Sequence, residues 1–183
     1  MPLAVIVGLL IKRKYPGPLF FKQLREGKNG KTFYIWKLRT MVTNANEVLK
    51  KIIAEDEAMA KEWNEFACFK NDPRIAGSIG KMARKLSIDE LPQLINIFKG
   101  DMVFVGPRPL EMYLAEALPA TERDCRNTVK PGLTGLWQIG PRSDISIRHM
   151  QYYDRLYIRK KSICLNIYIL LKTVTVVFRQ TGV

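Results

Sequence analysis

Residues 85–94 read KLSIDELPQL and set two adjacent carboxylates, Asp89 and Glu90, in a chain whose formal net charge is +13. Arg84 and Lys85 precede the pair, and downstream, in VGPRPL, Arg108 stands between two prolines. Two chemistries account for this arrangement. In the first, Ser87 followed three residues later by Glu90 is a capping box, in which the two side chains satisfy orphan N–H groups of a first helical turn. Asp89 then adds a favourable charge at the helix N-terminus, and Pro92 suits a first turn because its missing N–H matters least there. In the second, the pair is a reaction centre. A carboxylate at a helix N-terminus stays ionised and is available as a nucleophile or metal ligand. Its attack on a phosphate needs cations, usually Mg²⁺ and arginine, to neutralise the second anion. Arg108, stiffened by its prolines, would lose little freedom in gripping two phosphate oxygens. Residue types alone leave both readings open.

Composition narrows the chemistry. The excess of 30 Lys and Arg over 17 Asp and Glu points to an anionic partner: nucleic acid, a phosphorylated small molecule or an anionic membrane surface. Nucleic acid is the weaker reading, because the cations are scattered among prolines and apolar segments with no recognised binding motif. The single histidine, His149, argues against a His-based triad or a multi-histidine metal site. Cys68, Cys125 and Cys164 have no CxxC spacing and read as reduced thiols in a cytoplasmic environment. Acid–base or covalent chemistry therefore falls to carboxylates. At 183 residues the chain is one domain with room for a substantial core.

The elements that must position these groups follow from the pattern. The apolar run Pro2–Ile11 spans roughly 15 Å as a helix, half of a bilayer core, and Lys12, Arg13 and Lys14 collar it. It reads as a membrane-dipping segment or as a core helix. Next come a short strand LFFKQL, a glycine-rich basic loop REGKNGK that could offer N–H groups to phosphate, and a strand TFYIWKLRTM. Residues 43–70 read as one helix with Asn44 or Asn46 as cap, broken at Pro73. A short helix around Ile79–Ala83 is followed by a second with a buried stripe of Leu91, Leu94, Ile95 and Phe98, closed by Gly100. MVFV is a brief strand and Glu111–Arg126 a helix, while VKPGLTGLWQIGPRSDIS is a Gly/Pro-punctuated loop. A Tyr/Arg-rich helix and a long apolar helix, core or interfacial, end the chain. The expected class is α/β, mostly helical with a small sheet.

Beyond these local readings, SIDELPQLINIFKGDMVFVGPRP resembles the signature of the bacterial sugar transferases, the monotopic phosphoglycosyl transferases. QLREGKNGKTFYIWKLRTM, NDPRI, KPGLTGLWQI and YYDRLYIRKKS fall in the same family order, so the resemblance covers essentially the whole chain. It implies a membrane-dipping helix at residues 1–15, the returning half of a re-entrant helix broken near Met1-Pro2, and a catalytic domain at 16–183 with amphipathic interfacial helices. The expected location is the cytoplasmic face of the bacterial inner membrane. The long helical insert at 43–70 looks more like the hexose-phosphate transferases of capsule, O-antigen or exopolysaccharide pathways.

The same resemblance implies a two-step transfer from a UDP-sugar to a polyprenyl phosphate, typically undecaprenyl phosphate, with Mg²⁺ as cofactor and UMP released. Asp89 falls on the nucleophile and Glu90 on its partner, as metal ligand or acid–base group. Arg108 matches the arginine expected at phosphate. Arg84, Arg39 and Arg142 match positions expected near substrate, and Asp154 one expected near the metal. For Arg142 and Asp154, a surface cation and a helix carboxylate paired with a nearby arginine are equally ordinary readings. A non-catalytic membrane-surface scaffold of the same fold is the alternative to an enzyme.

Overall fold

The N-terminal run folds as α1 (Pro2–Lys14), with Pro2 in the first turn, where its lost N–H has no intrahelical partner. Ala4, Val7 and Ile11 are buried with Leu38, Ala76, Ala83 and Ile88 in the larger core cluster. On the other face Leu3, Ile6, Leu9 and Leu10 are each about half exposed, at 47–56%. The two readings of this run thus describe its two faces. These coordinates are a computed structural model that describes residues 1–140 and 146–178. Among the described residues no helix is long and apolar enough to cross a membrane.

After α1 an antiparallel hairpin forms from β1 (Phe20–Glu26) and β2 (Thr32–Leu38), in register from Phe20↔Leu38 to Glu26↔Thr32. The glycine-rich loop is its turn, with Asn29 and Gly30 both at positive φ. The single helix expected over 43–70 is two, α2 (Ala45–Glu55) and α3 (Glu57–Phe66). Asp56 makes the break. Its backbone is extended and its carboxylate accepts the Met59 N–H at 3.0 Å, capping the second helix. Then α4 (Gly77–Lys85) packs against α1.

The central block departs most from expectation. Ser87 adopts a left-handed φ of 55° and makes no side-chain cap bond, so no capping box forms. The chain instead enters a 3-10 turn, Ile88–Gln93, that packs against β2 and leads into α5 (Leu94–Phe98). The apolar stripe holds only in part: Leu91 packs against the larger core and Leu94 and Ile95 are half-buried, but Gln93 and Asn96 are 2% and 1% exposed, whereas Phe98 is 91% exposed. Asn96 faces inward because the edge of β2 needs partners. Trp36 N–H donates to Asn96 Oδ1 at 3.1 Å, and Asn96 Nδ2 donates to the Tyr34 carbonyl at 2.8 Å. One amide thus mimics a neighbouring strand. Gly100, at φ 79°, closes the helix as expected.

Beyond it, β3 (Val103–Val105) leads to α6 (Met112–Glu116) and α7 (Ala120–Asn127), which Pro119 separates where one helix was expected. The segment read as loop contains β4 (Gly132–Thr134), paired parallel to β3. A Cβ on Gly132 would lie 2.1 Å from the Gly106 nitrogen, an approach only glycine permits. Finally α8 (Ile147–Lys160) and α9 (Ile163–Phe178) close a second, smaller core on Val105, Tyr157 and Ile169. The Tyr157 hydroxyl lies 2.9 Å from both the Val105 carbonyl and Asn166 Oδ1. The class is mostly helical with two small two-stranded sheets, in agreement with the α/β expectation.

Replacing Asn96 with Ala strands a strand N–H and a carbonyl at a buried edge. Urea unfolding should show a loss of about 2–4 kcal/mol. Phe98→Ser, at a position open to solvent, should stay within about 0.5 kcal/mol of the parent.

Candidate active site

Three pieces of backbone converge on the acid pair. The 3-10 turn presents Asp89, 7% exposed, and Glu90 on consecutive residues. The segment after β3 brings Arg108, whose Nη2 donates to Glu90 Oε1 at 2.5 Å. From β2 comes Lys37, with Nζ 3.6 Å from the same oxygen. Both cations converge on Glu90, immediately beside the Asp89 carboxylate. Arg84, in the last turn of α4, adds a third positive charge that acts on Asp89.

Arg108 owes its place to its flanking prolines. Neither Pro107 nor Pro109 has an N–H, so the segment is held largely through its carbonyls. Each of three successive carbonyls accepts a bond from a different element. Pro107 O accepts from Gly132 N–H at 2.8 Å, Arg108 O from Arg126 Nη2 at 2.5 Å, and Pro109 O from Arg25 Nη1 at 3.2 Å. Arg25 is also paired with Glu111 at 3.1 Å, and Arg126 with the buried Asp154.

The structure thus gathers Asp89, Glu90, Arg108 and Arg84 into one site and adds Lys37, Arg25 and Arg126, which sequence reasoning missed. Lys37 and Arg25 lie inside the quoted QLREGKNGKTFYIWKLRTM, and Lys37 shares a strand face with Ile35 by the two-residue period. Arg126 gave no local signal. Arg39 is not brought to the pair. Its guanidinium donates to the carbonyls of Tyr15, Pro18 and Met41, tying the α1–β1 turn to the exit of β2. Of the two readings of Asp154, the structure shows the helix carboxylate paired with an arginine: it is the buried counter-charge of Arg126. Arg142 lies outside the described residues.

Among the described residues no three His, Cys, Asp or Glu side chains converge as a ready metal cage. Two adjacent carboxylates nevertheless fit Mg²⁺, which is commonly held by one or two carboxylates with water and substrate phosphates completing its shell.

Comparison with known proteins gives the family. The family model described as "Bacterial sugar transferase" matches residues 1–180. The chain belongs to the bacterial sugar transferase family. It is 42% identical over 171 residues to an undecaprenyl-phosphate galactose phosphotransferase of Salmonella typhimurium, covering 91% of this chain and 34% of that protein. Its identity to the exopolysaccharide production protein ExoY of Sinorhizobium fredii is 39%, covering 99% of this chain and 79% of that protein. A Klebsiella pneumoniae UDP-glucose:undecaprenyl-phosphate glucose-1-phosphate transferase is 36% identical, covering 94% of this chain and 35% of that protein. The chain thus spans about a third of the length of the Salmonella typhimurium and Klebsiella pneumoniae relatives.

In this bacterial sugar transferase the acid pair is electrostatically strained. Burial, then the neighbouring Glu90 charge, pushes the Asp89 carboxyl up to about 6, against the opposite pull of Lys37, Arg84 and Arg108. The shift is opposite in direction to that expected at a helix N-terminus, because the short 3-10 turn supplies little dipole to set against desolvation. Burial and the Arg108 charge bring Lys37 down to about 8. For Asp89 the folded value lies above the ordinary 3.8, so the native state binds the extra proton. Its contribution to stability is therefore greatest at low pH, falls between about pH 4 and 6, and is level above that. Asp89→Asn should remove this slope and raise stability at pH 7 by on the order of 2 kcal/mol, read from melting curves of both proteins across pH 4–8.

Proposed function

We propose that this chain transfers a sugar 1-phosphate from a UDP-sugar to undecaprenyl phosphate, with release of UMP, as the first membrane step of a polysaccharide pathway. The observation that carries the reading is the division of labour in the acid pair. Glu90 holds Arg108 and Lys37, which leaves two fixed cations beside the Asp89 carboxylate without either being its ion-pair partner. Asp89 attacks the sugar-proximal phosphorus, the bond to the bridging oxygen breaks, and UMP departs. A mixed anhydride between Asp89 and the phosphosugar results. A phosphate oxygen of undecaprenyl phosphate then attacks the same phosphorus, and the Asp89 carboxylate is regenerated. The relatives' names, which include undecaprenyl-phosphate sugar phosphotransferases, support this reading.

Arg108 and Lys37 neutralise the diphosphate as the two anions meet. Glu90 orients both cations and, with the second Asp89 oxygen, would hold Mg²⁺; Asp154 is already committed to Arg126. When bound, the ion would add positive charge at the phosphate oxygens. The half-exposed apolar face of α1, ending in Lys12, Arg13 and Lys14, supports association with an anionic cytoplasmic leaflet, where a polyprenyl phosphate would be met.

Incubation with a UDP-hexose in Mg²⁺ without lipid acceptor, followed by intact mass, should show a phosphohexose adduct that maps to Asp89. Asp89→Asn should form none and release no UMP. UMP release at the parent rate by that variant overturns the nucleophile assignment, and a parent with neither adduct nor UMP release favours a non-catalytic scaffold. The rate of UMP release should rise with pH through about 6 as Asp89 ionises and decline above about 8 as Lys37 loses its charge. Lys37→Met should abolish the decline.

A further inference from the structure

We propose that Arg126 and Asp154 are positioning residues for Arg108, a buried ion pair that holds the Pro107–Pro109 segment so that the Arg108 guanidinium stays aimed at the acid pair. The inference rests on the reading of Arg108 as the phosphate grip and deepens it.

The geometry is specific to the residue that matters. Of the three clamped carbonyls, that of Pro107 is bound by a neighbouring strand residue, Gly132. That of Pro109 is bound by Arg25, which also reaches Glu111 two residues on. The carbonyl of Arg108 itself, on the backbone from which the working side chain springs, is bound only 2.5 Å from Arg126 Nη2. Arg126 lies on α7 and Asp154 on α8, 28 residues apart, so the bond ties the segment to a packed helix pair. The side chains of Arg126 and Asp154 are 10% and 3% exposed.

Burial of this kind brings little stability, since an apolar pair of the same volume commonly holds a fold as well. What an apolar pair lacks is a directed donor for the Arg108 carbonyl. Neither residue acts on the acid pair directly. Asp154 and Arg126 are not among the main charges that shift Asp89, and Asp154 joins no metal-ligating cluster among the described residues. Their effect on the reaction runs through Arg108, which makes it separable from a general packing role.

The test is a double-mutant cycle in the intact chain, read both as UMP release from UDP-hexose and as equilibrium affinity for inorganic pyrophosphate. The first arm replaces the pair by Arg126→Met with Asp154→Leu, which avoids a buried unpaired charge. Relative to the parent, this should raise KM and weaken pyrophosphate binding by about tenfold, a coupling of ordinary size for a shared network. In an Arg108→Ala background the same replacement should change either readout by less than about twofold, because the group it positions is gone. Equal losses in both backgrounds overturn the proposal and reduce the pair to packing. Should the replaced pair melt non-cooperatively, Arg126→Lys, which keeps a charge opposite Asp154, is read in the same cycle. A parent that binds pyrophosphate through Arg108 but releases no UMP refutes the reaction, and the binding cycle still decides the role of the pair. A parent whose pyrophosphate affinity is unchanged by Arg108→Ala overturns the positioning role together with the phosphate grip.

Discussion

The contact between Arg108 and Glu90 is the junction on which the rest of the site depends. It joins a 3-10 turn, a proline-stiffened segment and, through Lys37, the second strand of the hairpin. Only the strand is a regular element; the 3-10 turn and the proline segment do not hold their side chains in place by secondary structure alone. The precision comes from polar bonds made across elements. Asn96 pins the turn-and-helix unit to the edge of β2, while Gly132, Arg126 and Arg25 bind successive carbonyls of the segment that carries Arg108. The glycines at 106 and 132 let β3 and β4 approach closely enough for that segment to meet its partners.

The acid pair is held against its own electrostatics. Two adjacent carboxylates are buried together, and the surrounding cations do not fully offset the desolvation of Asp89. A structural carboxylate would be expected to sit where its charge is favoured. Asp89 sits where its charge is disfavoured, beside cations already ordered by Glu90, yet at about 6 it remains mostly ionised at neutral pH. The strain is confined to a few residues because the scaffold beneath them, the core formed by α1, α4 and the 3-10 turn, is apolar and well buried.

Much of this was legible in the chain, but unevenly. The acid pair, Arg108 and the hairpin were read from residue types, spacing and a long family motif, since those signals are local. The stripe through Phe98 was misread because helical periodicity presupposes one continuous α-helix, and the left-handed Ser87 followed by a 3-10 turn resets the phase. β4 was missed because three residues beginning with a glycine, between Pro131 and Gly135, carry no alternation. Asp56 was missed as a cap because it lies within a run of good helix formers. Arg39 was placed by motif alone, and a motif does not say whether an arginine points at a substrate or at backbone carbonyls.

By itself the amino-acid sequence determined which groups were available for chemistry: carboxylates rather than histidines, cations in excess, and an arginine between prolines. It also determined the family and the fold class, because a long consecutive motif and the overall pattern of elements survive without knowledge of contacts. Only the tertiary structure decided which cations meet Glu90, which arginines are tied to backbone, and that Asp89 is strained rather than soothed by its surroundings. The physical reason is that charge effects depend on distance and desolvation between residues far apart in the chain. Lys37, Glu90, Arg108, Arg126 and Asp154 come from five separate stretches, and only packing sets the distances and the burial that give each of them its role.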